Sequence, residues 1–301
     1  MDRAGSGIEI GVGIAGDTPM PQAIPAALGR GGRDSPSLGR AALVMAELVY
    51  HTTVRDVRKG HRNAIAGLFM NILQTVIFLA TFYVMFTFLG ISGNAIRGDF
   101  LLYLMSGIFL FLIHTKAVSA VVKADGPTSA MMQHAPLNTT VTIMASALSS
   151  LYLQILSLCV ILFVYHVAWA PVVIDEPLGA IGMVLVAWIS GVGVGICFAA
   201  LKPWFPDGVL IASSVYSRAN MIASGKMFVA NTLPGSMLVF FDWNPLFHAI
   251  DQARGFIFLN YNPHFSNWEY ALWVTAILIA LGLMGESYTR RHASLSWRAG
   301  K

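Results

Sequence analysis

Residues 243–258 read WNPLFHAIDQARGFIF, and they set an acid, Asp251, three positions before a base, Arg254, between two apolar regions. On a helix that spacing permits an ion pair, but an exposed pair of this kind stabilises by only about 0.3–0.5 kcal/mol. Two roles fit the residue types better. Arg254 can guide an anion, with Asp251 steering its side chain, or the two can anchor a short helix at a membrane interface. Arg218 and Lys226 raise a related question, because they interrupt an apolar run from Val209 to Thr232. A basic group at mid-bilayer costs about 2.5–3.5 kcal/mol, so it must snorkel, find a carboxylate or face a wet path. Arg218 fits a path or a partner. Lys226, nearer the end of the run, fits snorkelling.

Other chemistries are excluded by spacing. Gly225-Lys226 lacks the earlier glycine and the following Ser or Thr of a phosphate-binding loop. His114, His134, His166 and His248 show no paired-ligand spacing, so the sequence gives no metal centre and reads each as a packed or interfacial histidine. Cys159 and Cys197 lie in apolar runs and behave as small hydrophobes. Ser106, in LMSGIF, is ordinary small-residue packing without a partner base. The chain therefore reads as no enzyme and as needing no cofactor.

The elements that must carry these residues follow from composition. Of 301 residues, 56% are hydrophobic and 11% charged, with a formal net charge of +4. A soluble domain carries about 25% charged residues, so this is an all-α, polytopic membrane protein. Its basic residues cluster between apolar spans, which argues for topology signals and against nucleic acid. A bilayer core of about 30 Å needs roughly 20 apolar residues per helix. Six windows qualify: 64–90, 100–122, 141–169, 178–201, 209–232 and 270–288. Gly191, Gly193 and Gly195 in the fourth allow close approach of another helix. Lys and Arg recur before the first span, after the second, after the fourth and after the sixth, which sets both termini in the cytoplasm.

The flanking segments complete the plan. Residues 1–40 are rich in Gly, Pro, Ser and Ala and read as a disordered cytoplasmic tail; residues 290–301 form a basic one. Residues 41–63 form an amphipathic interface helix with Leu43, Ala46, Tyr50, Val54 and Val57 on one stripe. In the loop KADGPTSAMMQHAPLNTT, Asp125-Gly126-Pro127 turns, Thr128 or Ser129 caps a short helix and Pro136 ends it. Exposed Met131 and Met132 would make a docking knob, and a plain connecting turn explains the same residues; the sequence leaves both open. Further on, Asn244 reads as an N-cap and Pro245 as the first residue of a short helix. That helix presents an apolar stripe opposite His248, Asp251 and Gln252. Residues 231–267 then dip into the membrane from outside and return.

Three stretches, RDVRKGHRNAIAGLFMNIL, SAMMQHAPLNTT and LPGSMLVFFDWNPLFHAIDQARGFIF, occur in an order that resembles the membrane subunits of type-2 ABC exporters. Among these the likeness is to capsular-polysaccharide and polyol-phosphate export permeases, and it runs from about Leu43 to Arg291. The resemblance implies a homodimer served by two copies of a separate ATP-binding subunit, in a bacterial inner membrane. Its substrate would be a lipid-linked, anionic capsular or surface polysaccharide, passed to a periplasmic or outer-membrane export complex. It also implies that the helix 43–59, with Arg55 and Arg58, and the loop carrying Met131, Met132, His134 and Pro136 receive the ATPase stroke. Residues 64–289 form the transmembrane domain, with Arg218, Lys226, Asp251 and Arg254 as candidates along the substrate path. The Gly-rich tail departs from the family start. A drug, lipid or haem exporter of the same fold is the alternative; a membrane-embedded enzyme would require a nucleophile and base that the sequence lacks.

Overall fold

A computed structural model of the chain describes residues 38–59, 64–90, 99–124 and 139–292. The chain divides into Met1–Ala42, of which only the opening of the first helix is described, and Leu43–Lys301. The elements among the described residues are helical: α1 (Leu38–Lys59), α2 (Ala64–Phe88), α3 (Phe100–Lys123), α4 (Thr139–Ala168), α5 (Pro177–Leu201) and α6 (Pro206–Ala223), then a 3-10 turn (Ala230–Thr232), α7 (Gly235–Leu238), α8 (Pro245–Ile257) and α9 (Trp268–His292). The expected tail 1–40 and the basic tail fall largely outside the described residues. Arg290, Arg291 and His292 still belong to the last turn of α9.

Five of these helices, α2, α3, α4, α5 and α9, are long and apolar enough to cross a membrane. The sequence reading expected six. The difference is α6, which stops at Ala223 instead of running to Thr232. Gly225 takes a left-handed φ of +68°, and the backbone turns there.

Helix α3 is the centre of the bundle, with 78% of its most apolar window buried, whereas α2 buries 17%. The sequence makes this possible through small residues on α5. A Cβ at Gly191 would lie 2.5 Å from the His114 carbonyl oxygen, and one at Gly195 would lie 2.8 Å from Val121 Cβ. Backbones of α3 and α5 thus approach as the glycine spacing predicts. At one end, Lys202 donates to the carbonyls of Val122 (2.7 Å) and Ala124 (3.3 Å), satisfying the C-terminus of α3. Trp204 donates to Thr289 (3.0 Å), which donates to the Ala200 carbonyl (2.8 Å), tying α9 to the same end. Ile65, Phe69 and Phe88 of α2 point outward, as hydrocarbon surroundings require.

The stripe expected on α1 is not its buried side. Leu43 and Tyr50 are exposed, while Val49 and Thr52 are buried. Asp56, one turn beyond Thr52, accepts from Ser146 of α4 at 3.0 Å. This polar contact, invisible to hydrophobic periodicity, joins α1 to α4.

Candidate functional site

Helix α8 starts as its residues dictate. Asn244 accepts from the Leu246 N–H at 3.0 Å, with Pro245 following it. The same side chain donates to Asn220 (2.6 Å) and to the Ala223 carbonyl (2.9 Å), so one residue joins the start of α8 to the end of α6. The other end is closed by the loop before α5, where the Glu176 N–H donates to the Phe256 carbonyl at 2.8 Å.

Asp251 and Arg254 do not pair with each other, and neither is exposed. Both are about 1% accessible; Asp251 is covered by residues 258–267, which fold back over the polar side of the helix. Asp251 accepts hydrogen bonds from the Tyr261 hydroxyl and from Ser266 Oγ (2.7 Å). Burial, with the Asp251 charge adding to it, pushes the Tyr261 hydroxyl well above the usual tyrosine range, so it stays a donor. Gln252 donates to the Ser266 carbonyl at 2.8 Å, and the Asn267 N–H donates to His248 Nδ1 at 3.1 Å. The expected polar face is therefore covered by protein.

Arg254 reaches the other way. Its Nη1 donates to the carbonyls of Gly225 (3.2 Å) and Phe228 (2.7 Å), and its Nη2 to that of Lys226 (2.7 Å). The guanidinium lies 4.3 Å from the Tyr103 ring centroid. A planar fork of donors suits a run of carbonyls that no regular structure satisfies. Gly107 leaves the room: a Cβ there would stand 2.7 Å from Nη2. Gly225 is fixed equally tightly, since a Cβ would come within 2.5 Å of Phe247.

Lys226 does not snorkel. It is 1% accessible, its Nζ donates to the Met221 carbonyl at 2.8 Å, and the ammonium sits 3.7 Å from the Phe111 centroid, 5.1 Å from that of Phe82 and 5.2 Å from that of Phe78. The π-faces take the place of a carboxylate. Sequence reasoning missed this cage; the signal was the aromatic pair Phe78 and Phe82, one turn apart on α2.

Arg218 stands apart from this cluster, exposed on α6 and without a partner among the described residues. Of the docking candidates, Arg55 lies 3.8 Å from Asp56. Arg58 belongs to α1, but its side chain, like the whole of Met131, Met132, His134 and Pro136, lies outside the described residues. His114 is a packed histidine: Ser190 Oγ (2.9 Å), the Ala187 carbonyl (3.1 Å) and the Tyr216 hydroxyl (2.9 Å) surround its ring nitrogens. What the arrangement around α8 can do chemically is hold charge in apolar surroundings.

A sequence profile described as ABC-2 type transporter matches residues 47–258. None of the curated proteins compared with the chain matches it.

Proposed function

Since the chain belongs to the ABC-2 type transporter family, whose membrane domains work with a separate ATP-binding subunit, we propose that it exports a lipid-linked, anionic surface polysaccharide as a homodimer. The matched residues, 47–258, take in four of the five apolar helices, the loop 225–229 and α8, so the reading concerns the whole membrane domain. On this reading α6 is a sixth crossing: its 18 residues rise about 27 Å, close to the thickness of a bilayer core. Both termini then face the cytoplasm of a bacterial inner membrane. Residues 231–267 are the outer re-entrant segment, and a periplasmic or outer-membrane complex receives the polymer.

The observation that carries the substrate class is Arg218, a base exposed on a largely apolar helix with no acid beside it among the described residues. Two such helices facing each other in a dimer would line a path that attracts an anionic polymer. Lys226, Asp251 and Arg254 belong to the wall of that path, holding the loop against α2 and α3. The helix with Arg55 and Arg58 and the loop Met131–Pro136 take the ATPase stroke. Deleting the chain should leave polymer on its lipid carrier inside the cell and strip the surface of polysaccharide. Normal surface polysaccharide in the deletion strain would overturn the proposal.

A further inference from the structure

A cleft of about 900 Å³ opens between α2, α3 and α4, away from the loop that Arg254 holds. One side of α3 supplies Lys116 and Lys123, seven residues apart and so on the same face. Lys116 lies within an apolar helix, yet among the described residues its ammonium donates to the amide oxygen of Gln74 alone, at 2.6 Å. No carboxylate among the described residues lies within ion-pair reach of it. Opposite, Asn71 donates to Gln154 Oε1 and to Ser157 Oγ, both at 2.8 Å. That leaves the Gln154 amide nitrogen, in a residue that is 95% buried, with no acceptor among the described residues. The acid in the lining, Asp56, is already engaged by Ser146 at 3.0 Å and lies 3.8 Å from Arg55. Deeper along α2 the wall turns apolar at Leu73, Ile77 and Phe78.

Two lysines two turns apart on one face of α3, about 10 Å along its axis, and an unused amide donor across the cleft, with an apolar wall on α2, describe an amphiphile with an anionic head. We propose that this cleft binds the phosphate head of a membrane lipid, with Lys116, Lys123 and Gln154 as donors and the lipid chain running along Leu73, Ile77 and Phe78. The volume suits a phosphate or diphosphate with the first carbons of its chain. An intramembrane lysine facing only a neutral amide gains most from a ligand that brings the missing negative charge. The site rests on the exporter reading only for what the lipid carries; its chemistry stands without it.

The test uses the purified full chain in non-ionic detergent, with a fluorescent short-chain phosphatidic acid as probe and fluorescence anisotropy as readout. The double variant Lys116→Gln/Lys123→Gln should bind the probe about tenfold more weakly. Phosphatidylcholine with the same chains should bind wild type and variant alike. Unchanged affinity of the variant, or equal binding of the two lipids by wild type, overturns the site. Displacement by inorganic pyrophosphate at the same concentration as the lipid overturns the lipid half of the assignment. Should the double variant misfold, Lys123→Gln at its exposed position must still weaken probe binding, and Lys116→Arg must retain it. Normal surface polysaccharide in a strain whose variant has lost the lipid removes the exporter reading and keeps the site. Lost polysaccharide with intact lipid binding does the reverse.

Discussion

Arg254→Ala should reduce the amount of folded protein before it affects any passage of substrate. The substitution strips the carbonyls of Lys226 and Phe228 of their donor, leaves that of Gly225 with the Phe228 N–H alone (3.3 Å), and removes the cation over Tyr103. A buried polar group left without its partner costs roughly 1–3 kcal/mol, so the two left bare should together cost roughly 2–6 kcal/mol. That is a large part of the 5–15 kcal/mol typical of a folded domain. Arg254→Lys offers one ammonium where the carbonyls need a fork, so it should recover only part of the loss. The assay is thermal challenge of the detergent-solubilised chain followed by size-exclusion chromatography, with membrane level and surface polysaccharide measured in parallel. Arg254→Ala that keeps wild-type level and melting while export collapses refutes the reasoning and returns the guanidinium to direct contact with the polymer.

Gly225→Ala should destabilise by more than about 1 kcal/mol, because the left-handed φ of +68° and the Phe247 ring both oppose a Cβ; the same melting assay reads it. Lys226→Met keeps the packed stem and removes a desolvated charge, so its melting midpoint should equal or exceed that of wild type, whereas Lys226→Glu should lower it. The isolated chain should hydrolyse no ATP, and substantial turnover in a purified sample would contradict dependence on a separate subunit. Met132→Asp should leave the protein in the membrane but uncouple hydrolysis from export when the ATP-binding subunit is present; unchanged export and association would make the loop a connector.

Five of the six expected spans were legible in the sequence because membrane crossing is decided by length and apolarity, which are local properties. The start of α8 was legible for the same reason, since Asn244 and Pro245 act within one turn. What escaped was set by distant residues. A helical wheel gives α8 a polar side at His248, Asp251 and Gln252, and nothing local reveals that Tyr261 and Ser266 return to cover it. Lys226 looked like a snorkelling residue because its cage comes from Phe78, Phe82 and Phe111 on two other helices. Lys116 could have been found, being a base inside an apolar span, but reading Lys and Arg as topology marks drew attention to Lys123 alone. The contact of Asp56 on α1 with Ser146 on α4 is of the same kind, and periodicity cannot see it.

The ammonium of Lys226 meets α2 through the faces of Phe78 and Phe82 and not through a directional bond. A charge above a ring tolerates sideways slip far better than a hydrogen bond does. Helix α2 buries little of itself elsewhere, while α3, α5 and α8 are locked by carbonyl clamps and glycine contacts. A few degrees of rotation of α2 would break no polar pairing at that point; the pairs it would strain are those of Asn71 with Gln154 and Ser157 and of Gln74 with Lys116. In a transport cycle the Lys226 cage is thus a surface across which α2 would slide, and its polar pairs at Asn71 and Gln74 would decide where it stops.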